Sequence, residues 1–309
     1  VGLLKRGDDS KRFYDTFRGR IMFPIRDSAG RIVAFTGRVF EGGENMGKYI
    51  NSPETSLYQK SRILFGYDMA KQTIRKHDFS IVVEGQMDVL MSHQAGFTNT
   101  VAVSGTALTK EQLVLLNRLS KNVVLAFDAD GAGFSSAKRS AMLALALGMD
   151  VKVAEMEKGV DPAELIKKDK EDWRKAIKES KHIVDFLLDS ISKENLDGRS
   201  FKKKVALEIL PFIKRIENKI DQGHFIETIA KRIGVPEESI REEVERIEGD
   251  SVTAQSNANE VKPPINRTLK TRRGRIEEKL LGIIHWQESL KKPMMDMIKL
   301  RKSFKSAIG

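Results

Sequence analysis

Between residues 79 and 154 the chain alternates short apolar runs with helix-like stretches, and no other feature restricts its fold as strongly. Ser80–Val83, Thr100–Val103, Asn122–Phe127 and Asp150–Ala154 are short and rich in β-branched residues. Helices are expected between them, near 86–95, 109–120 and 134–147, where apolar residues recur at helical spacing. Parallel strands need a crossover long enough to hold a helix, and strands apolar on both faces must be covered on both. The pattern therefore specifies an α/β fold built on a parallel sheet.

The flanking segments differ in kind. The first 65 residues read as β-rich. Ile21–Arg26 and Arg31–Phe35 are apolar runs on either side of Asp27-Ser28-Ala29-Gly30, which is turn chemistry. After about residue 165 the chain reads as helical, with Phe201 to Ile216, Asp221 to Ile233 and Pro236 to Ile247 carrying apolar residues at helical spacing. Pro211 is expected to kink or divide the first of these, and Pro236 to start the last. Residues 249–272 are polar and without period, as in a linker, and an amphipathic stretch follows over 276–298. The expected organisation is an incomplete basic α+β subdomain over 1–76, the parallel-sheet domain over 77–165, a helical subdomain over 166–248, the linker over 249–272 and the start of a further module over 273–309. Because the chain opens on Val and enters patterned sequence at once, it is expected to be a piece of a longer protein. It has no cysteine, hence no disulfide and no thiolate metal site. It also lacks an apolar run of the roughly 20 residues a membrane span needs. A cytoplasmic setting with no membrane contact is the expectation.

Charge is divided unevenly along the chain. The net charge is +11, yet residues 1–76 hold 15 Lys and Arg against 8 Asp and Glu, while residues 77–164 hold 7 against 11. A basic segment beside an acidic one suits an enzyme that handles phosphates with the help of a cation. The acids that matter sit at strand ends, where open α/β sheets bind ligands. The first strand runs into Glu84-Gly85, with Asp88 one helical turn on; the third runs into Asp128-Ala129-Asp130-Gly131-Ala132-Gly133. Glu84, Asp128 and Asp130 would converge if those strands are neighbours. Clustered carboxylates repel unless a cation is present, and an oxygen-only set selects Mg²⁺, or Mn²⁺ in its place. Gly85, Gly131 and Gly133 are expected to let the backbone turn beside the site. Asp88 and Asp161 are secondary candidates, for which helix capping is an equal alternative. On this evidence the site either joins or cuts phosphodiesters.

Several motifs in order narrow the choice. Glu84-Gly85-x-x-Asp88 and Asp128-Ala129-Asp130 after buried strands resemble the Toprim signature of primases, topoisomerases and some nucleases. The run RGRIMFPIRDSAGRIVAFTGRV (Arg18 to Val39), then KYINSPET (Lys48 to Thr55), YQKSRILFGYDMA (Tyr58 to Ala70), VVEGQMDVL, SGTALT and FDADGAG, resembles the bacterial DnaG-type primase from residue 1 to about 247, with a weaker echo after 272. The resemblance implies a Toprim domain over 77–165 and a helicase-binding region beginning at 273. It further implies a nucleotidyltransferase, a DNA-directed RNA polymerase that makes short RNA primers for replication by two-metal-ion chemistry, with Glu84, Asp128 and Asp130 as catalytic metal ligands. Its partners would be single-stranded DNA, ribonucleoside triphosphates and the replicative helicase. Complete members carry an N-terminal zinc-binding domain; this cysteine-free chain has none, and no zinc is expected in it. One departure is that the family's acid two residues after the aspartate of Asp161-Pro162 is here Ala163, followed by Glu164.

Arg38, Lys48, Tyr49, Asn51 and Lys60 suit a nucleotide chemically, with Arg and Lys for phosphates and Asn and Tyr for sugar or base. The resemblance implies that these positions hold incoming nucleotides or template; a solvated basic face is the alternative. All four tyrosines fall within the first 67 residues, and for Tyr58 and Tyr67 packing is preferred over base stacking. Two other functions fit the same acids, a Toprim nuclease or topoisomerase and a non-catalytic DNA-binding fragment.

Overall fold

A computed structural model describes residues 2–6, 13–40, 47–105, 107–128, 131–157 and 159–247. All of these belong to one compact unit, Val1–Val252. The expected linker (249–272) and the region from 273 onward lie outside the described residues.

The chain opens with two short antiparallel strands, β1 (Leu4–Arg6) and β2 (Phe13–Asp15). A three-stranded antiparallel sheet follows, β3 (Arg20–Arg26), β4 (Ile32–Val39) and β5 (Tyr49–Asn51), in the order β3-β4-β5. The turn expected between β3 and β4 is closed by Asp27, whose carboxylate accepts from the backbone N–H of Ala29 and Arg31 at 2.9 and 3.0 Å. Gly30 occupies the left-handed region, φ 85°, which a side chain would strain.

From α1 (Tyr67–His77) onward the alternation read from the sequence is present. Strand β6 (Ser80–Val83), α2 (Gln86–Gln94), β7 (Thr100–Ala102), α3 (Lys110–Asn117), β8 (Asn122–Leu125), α4 (Gly131–Leu145) and β9 (Asp150–Val153) follow one another. After α5 (Pro162–Lys168) and α6 (Lys170–Lys178) a two-residue strand, β10 (Lys181–His182), adds an antiparallel edge. The order is β10-β9-β8-β6-β7, with β6, β7, β8 and β9 parallel. Alternate residues serve opposite faces. Val82, Leu125 and Val151 enter one buried cluster, while Ile81, Val83 and Val124 enter the other with the fully buried Trp173 of α6. The sheet is thus covered on both sides.

The rest is helical: α7 (Ile183–Ser192), α8 (Gly198–Glu208), α9 (Leu210–Arg215), α10 (Lys219–Ile233) and α11 (Glu237–Arg246). Pro211 lies in the first turn of α9, after a break at Ile209, and Pro236 caps α11. These helices extend the first of the two clusters through Leu187, Val205, Ile213 and Phe225. Among the described residues no helix is long and apolar enough to cross a membrane.

A latch joins the N-terminal part to the sheet. Gln112, fully buried, accepts from the Thr109 N–H at 3.0 Å and donates to the carbonyls of Lys60 and Ile63 at 2.9 and 2.8 Å. The Thr109 hydroxyl donates to the Ser61 carbonyl at 2.6 Å. Replacing Gln112 with Leu removes all three hydrogen bonds and leaves the Thr109 N–H and the Ile63 carbonyl without a partner among the described residues, while the Lys60 carbonyl keeps the Ile63 N–H at 3.5 Å. The Gln112→Leu variant is therefore expected to lose about 2–4 kcal/mol in urea unfolding at unchanged m-value. A loss below about 0.5 kcal/mol, the scatter of ordinary surface changes, would contradict the latch.

Candidate active site

Strands β6 and β8 are neighbours, with Val82 opposite Leu125 and the Ala126 N–H donating to the Val82 carbonyl at 2.9 Å. Glu84 and Asp128 therefore leave the sheet side by side. The backbone of Glu84 is held by the Ser104 N–H, which donates to its carbonyl at 3.1 Å. Helix α4 closes against both acids through Gly133: a Cβ built there would stand 2.2 Å from the Asp128 carbonyl oxygen and 3.1 Å from Glu84 Oε1. Gly131 and Gly133 were expected to turn the chain after Asp130. Instead both lie in the first turn of α4, and Gly133 is required for close approach. Gly85 is extended, at φ −111°, and a Cβ there would stand 2.9 Å from Asp88 Oδ2. Ala129 and Asp130 lie outside the described residues.

Asp88 and Asp161 both cap helices. Asp161 precedes α5 and accepts from the Glu164 N–H at 2.7 Å. Asp88 is 6% exposed and serves two helix starts, accepting from the Gly85 N–H at 2.9 Å and from the Ala163 N–H at 3.2 Å. Burial pushes its carboxyl up to about 7, and the charges of Asp161 and Asp128 add to the rise, while the two N–H groups oppose it.

These acids line a cleft of about 810 Å³, in the upper part of the roughly 300–1,000 Å³ range of small-molecule sites. Arg38, Lys48, Tyr49 and Asn51 also line it; Lys60 does not. The Lys60 backbone is bound into the short 3₁₀ turn Lys60–Arg62, its N–H donating to Glu54 Oε1 at 3.0 Å, and the residue borders a separate cavity of about 10 Å³. Tyr58 and Tyr67 are buried, and burial pushes the Tyr58 hydroxyl up to about 12. Packing is their role. Tyr49 stands half-buried beneath Arg38, whose guanidinium carbon is 5.8 Å from its ring centre.

Among the further cleft residues that the sequence did not single out are Ser104, Ser136, Arg139 and Lys167. Ser136 and Arg139 follow Gly133 at three-residue spacing on α4, a signal usable only once the helix start is known. Ser104 is one of three non-glycine residues with positive φ among the described residues, at 59°, in a conformation that clusters at functional sites. Its hydroxyl and the side-chain oxygen of Asn51 are buried without a hydrogen-bond partner among the described residues.

The donor chemistry fits a hard divalent cation, since every candidate ligand is a carboxylate oxygen. The part of the Asp88 rise that comes from the charges of Asp161 and Asp128, smaller than that from burial, is what such a cation would relieve. Among the described residues no three His, Asp or Glu side chains approach closely enough to hold an ion by themselves. Glu84 and Asp128 supply a pair, next in sequence to Asp130. Arg38, Lys48, Arg139 and Lys167 border the same cleft, and among the described residues none of them forms an ion pair.

Residues 1–71 match the family model of the DNA primase catalytic core, N-terminal domain, and residues 81–166 match a Toprim-like model. The DNA primase of Staphylococcus aureus is 35% identical over 251 residues, 79% of this chain and 40% of that protein. The chain thus spans about two fifths of the length of such relatives. A DNA primase domain from Pseudomonas aeruginosa is 33% identical with a TM-score of 0.68, over 79% of this chain and 77% of that one. A DnaG primase catalytic domain bound to single-stranded DNA is 31% identical with a TM-score of 0.68, over 77% of this chain and 75% of that one.

The raised Asp88 carboxyl links stability to pH. An acid whose folded-state pKa lies above its unfolded value favours folding fully below about pH 4 and progressively less as pH rises to about 7. With EDTA present, stability is expected to fall by about 2–4 kcal/mol from pH 4 to pH 8 at this group. The Asp88→Asn variant, although less stable at pH 4, is expected to lack that component of the slope in urea titrations. An identical slope in both proteins would contradict it.

Proposed function

The chain belongs to the bacterial DnaG-type DNA primase family, and from that premise we propose that it is the polymerising core of a primase. It would join ribonucleoside triphosphates on single-stranded DNA into short RNA primers for replication, as a DNA-directed RNA polymerase of the nucleotidyltransferase class. The observation that carries this reading is one cleft in which strand-end carboxylates stand beside cations that, among the described residues, form no ion pair. Cations that no carboxylate neutralises remain available to phosphate, and the strand-end carboxylates supply the oxygen donors a hard cation takes.

Glu84, Asp128 and Asp130 would hold the divalent cations, Mg²⁺ or Mn²⁺. When bound, such ions make the 3′-hydroxyl a better nucleophile and offset charge on the departing pyrophosphate. The residues of the chain do the rest. Arg38 and Lys48 would bind the triphosphate, with Tyr49 and Asn51 at the sugar or base. Asp88 holds the Gly85 backbone next to Glu84, and the bare Cα of Gly133 keeps α4 close to both acids. The 3′-oxygen of one nucleotide bonds to the α-phosphorus of the next as the bond to pyrophosphate breaks, and no side-chain nucleophile takes part. The structure of a related catalytic domain with single-stranded DNA supports a DNA template here. Lys60, bound into its turn at the edge of the site, suits template better than triphosphate. We further propose that residues 1–76, 77–165 and 166–248 act as nucleotide-binding, metal-binding and supporting subdomains, and that residues 273–309 begin a region that meets the replicative helicase.

The Glu84→Gln substitution keeps size and hydrogen bonding but removes the charge. It is expected to lower Mg²⁺-dependent incorporation of labelled ribonucleotides by about 10³-fold or more. Affinity for a labelled single-stranded oligonucleotide, read by anisotropy, should stay within a few-fold. Retained synthesis would sink the assignment.

A further inference from the structure

Helix α4 has three faces, two of which are committed. Ala137, Ala141 and Ala144 are buried in the core cluster. Lys138 donates to Glu208 of α8 at 2.5 Å and lies 4.7 Å over the Phe134 ring, which ties another side of the helix to the helical layer. The third face, Gly133, Ser136 and Arg139, lines the cleft. It starts at the two acids, because Gly133 abuts the Asp128 carbonyl and Glu84 Oε1. Arg139, unlike Lys138, is exposed and forms no ion pair, ring contact or hydrogen bond among the described residues. Six residues of helical rise, about 9 Å, separate it from Gly133. A phosphate held there would leave the far end of the same nucleotide at the carboxylates.

The cations read from the sequence stand elsewhere in the cleft. Arg38 and Tyr49 are register partners on β4 and β5, and the Tyr49 hydroxyl feels the charges of Asp88 and Asp161. One basic group thus neighbours Asp88 and Asp161, and the other rises from Glu84 and Asp128. Templated condensation needs two nucleotides at once, one giving its α-phosphate and one its 3′-hydroxyl.

We propose that Arg139, with the Ser136 hydroxyl, forms a second phosphate subsite that holds the 5′-phosphates of the nucleotide supplying the 3′-hydroxyl. Arg38 and Lys48 are left to hold the incoming triphosphate. The proposal rests on the polymerase reading of the cleft. It separates the residues that select the first nucleotide from those that select the second.

Calorimetric titration of the full chain with α,β-methylene-ATP, in the presence of Mg²⁺ and an oligo(dT) template, tests this without turnover. Two equivalents should bind to the unaltered protein. Arg139→Gln should weaken one of them about tenfold or more, with Arg139→Lys intermediate, whereas Lys48→Ala should weaken the other. Ser136→Ala should weaken the Arg139 equivalent a few-fold. The subsite is overturned if the unaltered chain binds one equivalent or none, if Arg139→Gln binds both within twofold of the original, or if Arg139→Gln and Lys48→Ala weaken the same equivalent. Failure of the polymerase reading is separately visible: two equivalents would bind and respond as stated, yet the unaltered chain would form no phosphodiester from labelled ATP on the same template.

Discussion

In the parallel sheet, Ser80, Ile81 and Val82 of β6 pair with Val123, Val124 and Leu125 of β8, and this register decides where two acidic segments emerge. A shift of one residue would turn every side chain to the opposite face and would separate Glu84 from Asp128. The pairing is secured by burial on both faces, with Ile81, Val82, Val83 and Leu125 essentially inaccessible to solvent. The apolar strands that fix the fold are thus the same residues that bring the carboxylates together. Helix α4 completes the arrangement only because Gly133 has no side chain: any Cβ there would collide with the Asp128 carbonyl.

Acids gathered in this way are electrostatically unfavourable by themselves, and Asp88 shows the strain. Its carboxyl is buried, faces the charges of Asp161 and Asp128, and is pushed up to about 7 although two backbone N–H groups donate to it. A group so placed joins two helix starts when ionised and relieves repulsion when neutral. Among the described residues, Arg38, Lys48, Arg139 and Lys167 of the same cleft form no ion pair. A cleft that gathers both acids and cations suits ligands that carry both charges, and a metal-bound nucleoside triphosphate is such a ligand.

Much of this was legible in the sequence, for a specific reason. Short β-branched runs ending in Glu84-Gly85 and Asp128-Ala129-Asp130 encode both the parallel sheet and the placement of acids at its carboxyl edge, because period and strand polarity are local properties. The glycines were harder. Gly85 and Gly133 read as turn residues, and their need is steric, which depends on what packs against them. Lys60 has suitable chemistry, yet the Gln112 latch fixes its backbone outside the main cleft, a contact spanning 52 positions of sequence. Ser136 and Arg139 carried no signal, since their facing depends on where α4 begins, and it begins three residues earlier than its apolar pattern indicates. The edge strand β10 is two residues long, too short for any periodicity.

The central claim, that Glu84 and Asp128 hold the cation that serves phosphodiester formation, is open to direct observation. Crystals of the chain soaked in Mn²⁺ should show an anomalous peak with oxygens of both side chains at about 2.1–2.2 Å. A peak confined to other carboxylates, with Glu84 and Asp128 outside coordination distance while nucleotide is bound in the cleft, would contradict it.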